Sequence, residues 1–116
     1  MKIRIKGNSL RYRLTKSDVA TLGMTGFLSE RSEFVGKTFE YAIIATSDVK
    51  LTADFIDNRI VLNIPGKMVE ELVNTEKVGF SDLTGPVSLL IEKDFACLDK
   101  VEEDQSDNFP NPHLNC

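Results

Sequence analysis

The only histidine and both cysteines of the chain lie within its last 20 residues. Cys97, His113 and Cys116, together with Asp99, offer thiolate, imidazole and carboxylate groups, which are ligands for Zn²⁺ or copper. The spacing matches zinc modules only in part, since His113-x-x-Cys116 makes one close pair and Cys97-x-Asp99 a weaker one. These residue types predict a metal-binding protein as one candidate function.

Cys97 has three further interpretations. With His113 as a base, the thiolate could serve as the nucleophile of a small enzyme. A disulfide with Cys116 would need an oxidising compartment, whereas a buried, inert thiol needs no partner. The chain contains none of the motifs of phosphate-binding loops, dinucleotide-binding folds, H-E-x-x-H metalloproteases or serine hydrolases. The sequence therefore favours a protein that binds over one that catalyses.

A second candidate site lies at the start of the chain, where the first 16 residues hold six basic side chains and no acidic one. Apolar residues alternate with these bases on both sides of a turn, which predicts a β-hairpin. A turn at Asn8-Ser9 would place Lys6 opposite Arg11 and Arg4 opposite Arg13. Because like charges directly across a strand pair repel, this basic face predicts a negative group nearby.

Three kinds of negative group would satisfy the basic face. The first is an acid of the chain itself, such as Glu40, Asp54 or the acidic tail. The second is a small anion, and the third is an acidic surface of another protein or a nucleic acid. The net charge of −4 arises entirely in residues 99–116, because residues 1–98 hold 13 basic and 13 acidic side chains. An acidic protein argues against general nucleic-acid binding.

The elements that position these residues repeat at an offset of 50. Four identities carry the repeat: Asn8, Val19, Leu22 and Thr25 recur as Asn58, Val69, Leu72 and Thr75. The predicted elements recur as well, each half reading β-β-α-β-β. The first predicted helix begins near Thr15 or Ser17 and stops at Gly23 and Gly26, and the second begins at Pro65.

The sequence thus predicts a mostly β, α+β protein with an internal duplication and a pseudo-twofold axis. Residues 1–98 form one domain with halves of about 1–50 and 51–98, followed by an extended acidic tail over residues 99–116. A crevice between the halves would suit a ligand. Ile56 and Val61 are expected on an outward sheet face, which suggests a contact between two copies of the chain.

The composition of the 116 residues, 41% hydrophobic and 28% charged, is that of one globular domain. No apolar stretch approaches the about 20 residues that a transmembrane helix needs, so no membrane partner is expected. The alternating, charged start is unlike a signal peptide, and two cysteines do not make a disulfide framework. These features predict a cytoplasmic location.

Two stretches carry a resemblance to a known family: MKIRIKGNSLRYRLTKSDV at the start, and LLIEKDFACLD followed by EDQSDNFPNP near the end. With them the chain resembles a family of short bacterial proteins, of a type found in Bacteroidetes genomes, that has no assigned function. The resemblance implies no activity and no catalytic residue. It draws attention to Cys97 and residues 106–112 rather than to His113 or Cys116.

The function expected from the sequence is that of a small binding protein without catalytic activity. Its ligand-binding residues would be Arg4, Lys6, Arg11 and Arg13, and its ligand a small anion or an acidic protein. The tail is expected to meet this basic face. A metal-binding protein and a cysteine-dependent enzyme stay open as alternatives.

Overall fold

The computed structural model of the chain describes residues 1–95 and 106–110. These residues form eight strands and two helices, in this order: β1 (Lys2–Lys6), β2 (Ser9–Leu14), α1 (Lys16–Thr25), β3 (Phe27–Phe34), β4 (Lys37–Thr46), β5 (Thr52–Ile56), β6 (Arg59–Pro65), α2 (Gly66–Asn74), β7 (Gly79–Asp82) and β8 (Ser88–Lys93). Neither helix in this part of the chain combines the length and the hydrophobicity that a membrane-spanning helix requires. The fold is α+β and mostly β, as predicted.

The strands form two four-stranded sheets, and each sheet contains one hairpin from each half of the chain. Sheet A has the order β1-β2-β8-β7 and sheet B the order β3-β4-β6-β5. The first hairpin of each half therefore pairs with the second hairpin of the other half. The two central pairs, β2 with β8 and β4 with β6, are parallel, whereas the hairpin pairs are antiparallel.

The strand registers confirm the predicted duplication and its pseudo-twofold relation. Ile3 faces Tyr12 in the first hairpin, and Ala53 faces Leu62 in the third, an offset of 50 at both positions. The central parallel pairs correspond as well, at an offset of 48 for the second strand: Leu10 lies beside Leu89, and its equivalent Ile60 lies beside Tyr41. Each sheet is therefore a copy of the other made from the opposite halves of the chain.

The core lies between the two sheets and is covered by the helices. Tyr12 and Leu14 of β2, and their equivalents Leu62 and Ile64 of β6, are at most 1% exposed. Both helices add apolar side chains to the same cluster, namely Val19, Leu22, Val69 and Leu72. One continuous core therefore joins the two halves.

Helix α1 runs through one of its two predicted stops. Thr15 accepts from the N–H of Asp18, and Asp18 accepts from the N–H of Thr15, which completes a capping box. Gly26, at φ 73°, ends the helix in the left-handed conformation. Gly23 lies inside the helix and does not stop it. A Cβ at this position would lie 2.7 Å from the Val73 side chain of α2. The glycine allows close helix contact instead.

The first hairpin turn differs by one residue from the prediction. Lys6 pairs with Ser9, so the turn consists of Gly7 and Asn8, with Gly7 at φ 52°. A glycine takes this left-handed conformation at little cost, which places the turn one residue earlier than Asn8-Ser9. Arg4 consequently faces Arg11 rather than Arg13. Helix α2 likewise begins at Gly66, one residue after the predicted Pro65.

Candidate functional site

The outward face of sheet A carries five basic side chains, called here the basic face: Lys2, Arg4, Lys6, Arg11 and Arg13. They share this face because directly paired residues of an antiparallel ladder point to the same side. Arg4 lies opposite Arg11, and Lys2 lies opposite Arg13. The four residues predicted as a binding site are thus brought together on two adjacent strands.

One acid of β8 neutralises part of the basic face. Glu92 lies beside Arg13 in the parallel pair of β2 and β8. Its Oε1 accepts from Arg11 Nε at 2.6 Å and from Arg13 Nε at 3.2 Å. The sequence shows that Glu92 alternates with apolar residues of β8, but the pairing of β8 with β2 was not anticipated. Glu92 was therefore missed as a partner of these arginines.

The remaining bases divide into one paired and two unpaired side chains. Lys2 Nζ lies 3.2 Å from Asp94 Oδ2. Arg4 and Lys6 are exposed and form no ion pair or side-chain hydrogen bond with any residue that the structure describes. Among the described residues, the basic face therefore keeps two uncompensated cations at the end nearest the Gly7 turn.

The two body acids considered as partners for the basic face lie elsewhere. Glu40 pairs with Arg59 on sheet B, with 3.4 Å between Oε1 and Nε. Asp54 accepts a hydrogen bond from Asn63 Nδ2 at 3.1 Å. Both acids belong to sheet B and not to sheet A, because β4 and β5 pair with β6 and not with β1 or β2.

The described part of the tail, residues 106–110, lies against helix α1. The N–H of Lys16 donates to the Asp107 carbonyl at 3.1 Å, and the N–H of Ser17 donates to Asp107 Oδ1 at 3.3 Å. With the Thr15 cap, these bonds satisfy the free N–H groups of the first helical turn. Hydrogen bonds from the Ser17 and Thr15 side chains hold the pKa of Asp107 below its ordinary value.

The same segment also joins the end of sheet A. The Phe109 N–H donates to the Asp94 carbonyl at 2.9 Å, and the Phe95 and Phe109 rings lie 5.9 Å apart. Between described residues, no hydrogen bond or ion pair connects residues 106–110 with Arg4, Lys6, Arg11 or Arg13. A meeting of the basic face with the rest of the tail falls outside the described residues.

Replacing Asp107 with Ala is expected to lower the melting temperature at pH 7 by a few degrees, because Ser17 loses its acceptor. The folded-state pKa of Asp107 is lowered, so its contribution is present above about pH 4 and is lost as the pH falls through that lowered pKa. Thermal unfolding at pH 7 and pH 2 measures both effects. Asp48→Ala is the control, and an Asp107→Ala deficit that is as large at pH 2 as at pH 7 would contradict the linkage.

The predicted metal ligands Cys97, Asp99, His113 and Cys116 all lie outside the described residues. The hypotheses of a zinc or copper site and of a Cys97 nucleophile stay predictions. Over residues 1–95 and 106–110, no group of three histidine, cysteine, aspartate or glutamate side chains could hold a metal ion. The described residues thus add no ligand cluster of their own.

A cleft of about 580 Å³ lies between the two helices and the segment that contains Phe109. It is called here the helix cleft; its apolar lining includes Val19, Leu72, Val73, Val78, Phe95 and Phe109. Lys93 also lines it and is only 6% exposed. Its Nζ donates to the Thr75 carbonyl at 3.0 Å and lies 5.0 Å from the Phe109 ring centre. Burial lowers the pKa of Lys93.

A smaller crevice of about 400 Å³ lies where the two halves meet. Its lining includes three pairs of equivalent residues: Ile5 with Phe55, Leu10 with Ile60, and Val87 with Phe39. Equivalent residues of both halves thus form an apolar opening, and none of the described residues that line it is basic. The outward Ile56 is 63% exposed, and its role in a contact between two copies stays a prediction.

Comparison with known proteins assigns the chain to a family but to no activity. A protein-family model matches residues 1–113. Neither a curated protein nor a solved structure matches the chain. The functional argument therefore rests on the geometry of the chain itself.

Proposed function

Because the chain belongs to a family of unknown function, DUF7009, membership assigns no activity, and we propose a function from the site alone. The protein is a binding module without catalytic activity, and its basic face docks an acidic surface of another protein. One observation carries this proposal: Arg4 and Lys6 are exposed and have no acidic partner over residues 1–95 and 106–110, although they lie beside the Arg11–Arg13–Glu92 cluster.

The placement of the bases favours a partner surface over an enclosed small anion. Alternate residues of a strand are about 7 Å apart, and directly paired residues are about 5 Å apart. The basic face is therefore a flat array of charges on an open sheet. Arginine is also enriched at protein interfaces, where its planar group binds carboxylates through two hydrogen bonds.

The basic face is maintained at a cost to the fold. Arg4 lies directly opposite Arg11, and such like-charged pairs are destabilising by up to about 1 kcal/mol. Glu92 offsets the repulsion around Arg11 and Arg13, but it forms no ion pair with Arg4. A purely structural strand would gain stability from an acid at Arg4. A base at this position suits a surface that meets a negative partner.

The test is a double charge reversal, Arg4→Glu with Lys6→Glu, against Lys37→Glu with Lys67→Glu as a matched control. Both doubles change the net charge equally, and all four positions are exposed. The probe is poly-L-glutamate of about 20 residues, in low salt, measured by fluorescence anisotropy. We expect at least tenfold weaker binding for the first double, little change for the control, and loss of wild-type binding near 0.5 M salt.

The same variants distinguish the alternatives. Thermal unfolding should show that the Arg4 and Lys6 double is as stable as the wild-type chain, or slightly more stable. Equal loss of binding in both doubles would mean that only net charge matters, which contradicts a specific face. Inorganic phosphate displacing the probe at low millimolar concentration would identify a small-anion site instead. Tighter binding to duplex DNA than to poly-L-glutamate would also overturn the proposal.

A further inference from the structure

Lys93 in the helix cleft is buried, and no acidic side chain in the described part of the chain lies within ion-pair distance of its Nζ. Lysine is almost never fully buried unless it is paired, because removing a charge from water is costly. The contacts of this Nζ are the Thr75 carbonyl and the face of the Phe109 ring. Across the described residues it forms no ion pair. Glu76 also lines the cleft and attracts the Lys93 ammonium group at longer range, but it is exposed and makes no ion pair with Lys93.

The rest of the helix cleft is apolar and large enough for a small molecule. Its volume of about 580 Å³ lies within the range of about 300 to 1,000 Å³ that ligand pockets occupy. Val19 and Leu72 are buried at its helical wall, and Phe95 and Phe109 form the opposite side. Ligand pockets characteristically combine such walls with a few polar groups that set the orientation of the ligand.

We propose that the helix cleft binds a small amphiphilic carboxylate, with its apolar body between the helices and its carboxylate on Lys93. An ammonium group has three N–H donors, and the Thr75 carbonyl uses one of them. A carboxylate would accept a charge-assisted hydrogen bond from another and would neutralise the buried charge. A neutral or cationic ligand would bring no negative group to this Nζ, so the buried charge favours an anion.

The site is independent of the basic face, since the two share no residue. Lys93 points to the inner side of sheet A, whereas Arg11 and Arg13 point outward, as the alternation of β8 and the pairing with β2 require. The proposed binding of a carboxylate in the helix cleft can therefore be tested separately from the proposed docking of an acidic protein on the basic face. The experiments on each site use different variants.

The test uses octanoate as the probe and octyltrimethylammonium as a probe of opposite charge, each titrated into the full chain. We expect octanoate to bind with one-to-one stoichiometry by calorimetry, and the cation to bind at least tenfold more weakly. In NMR spectra, octanoate should shift the backbone signals of Thr75, Val78 and Phe109. Absence of octanoate binding, or equal binding of both probes, would overturn the proposal.

Lys93→Met removes the charge and keeps much of the side-chain volume. It is expected to weaken octanoate binding at least tenfold and to abolish the preference over the cation. The melting temperature without octanoate should stay the same or rise, because a buried charge without an ion-pair partner is removed. Lys77→Met is the matched control, since Lys77 Nζ also lies over a ring, that of Phe80 at 5.2 Å, but outside the helix cleft.

If Lys93→Met fails to fold, a second variant tests whether octanoate binds in the helix cleft. Val78→Asp changes an exposed position of the cleft lining and places a carboxylate there. This carboxylate should repel octanoate and compete for Lys93, so at least tenfold weaker binding is expected. Unchanged octanoate affinity in either folded variant would show that Lys93 does not receive the carboxylate, which would overturn the proposal.

Discussion

The separate fragments 1–49 and 50–116 are each expected to be unfolded at concentrations where the intact chain is fully folded. In the first fragment β2 loses its neighbour β8, and β4 loses its neighbour β6. Two isolated hairpins and one helix remain, and a lone hairpin is at best marginally stable in water. Circular dichroism and the dispersion of amide NMR signals measure this directly.

Mixing the two fragments should restore the fold, with a melting temperature that rises with concentration because assembly has become bimolecular. The control is the intact chain with six glycines inserted between Val49 and Lys50, where Val49 is 92% exposed. The insertion lengthens a surface loop and should cost only about 1 kcal/mol. A folded, monomeric fragment 1–49 would contradict the exchanged arrangement of hairpins.

Fragment 1–49 has one way to fold without the second half, which is to pair with a copy of itself. The pseudo-twofold relation would then place Ile44 beside Arg13, where Glu92 lies in the intact chain. Arg13 and Arg11 would lose their only ion-pair partner among the described residues. The exposed basic face and the missing acid disfavour such a dimer. A stable dimer of the fragment would show that two copies of the first half are sufficient to form the fold.

The local elements were predictable because each carries its own pattern. Alternating apolar residues mark the strands, and the Thr15–Asp18 capping box marks the start of α1. The repeat at an offset of 50 also survives as an equality of strand registers. These features depend on neighbours in sequence, so the amino-acid order alone reveals them.

The partnership between hairpins was not predictable, because pairing within a half and pairing across halves give the same apolar pattern. Glu92 became a partner of Arg11 and Arg13 only through the parallel pairing of β2 with β8. Lys93 did leave a visible sign. It continues the inward series of Leu89 and Ile91 in β8, so a charged residue stands where alternation calls for an apolar one.

Gly79→Ala is expected to destabilise the chain by about 3 kcal/mol, at the upper end of the effect of overpacking. A Cβ built on Gly79 would lie 2.2 Å from the Ile91 carbonyl oxygen and 2.8 Å from the Cα of Glu92. Both atoms belong to the backbone of β8 and not to a flexible side chain. The added methyl group must therefore move one strand away from the other.

Gly66→Ala is the matched control, because it adds the same group at a glycine where there is room. The nearest atom to its Cβ would be the Thr46 carbonyl oxygen, at an ordinary 3.7 Å. Gly66 begins α2, and alanine is a better helix former by about 1 kcal/mol. In urea unfolding, the free energy of unfolding should therefore fall for Gly79→Ala, and it should rise or stay unchanged for Gly66→Ala.

The clash in Gly79→Ala can be relieved in two ways, and each of them lowers the stability of the fold. If β7 shifts, its ladder with β8 is weakened, and Phe80, which faces Ile91, leaves its place against the core. If β7 detaches, the same packing is lost and the Lys93 N–H also loses the Val78 carbonyl. Hydrogen exchange of the β7 and β8 amides distinguishes the two routes. A Gly79→Ala variant within about 0.5 kcal/mol of wild type would mean that β7 does not pair closely with β8.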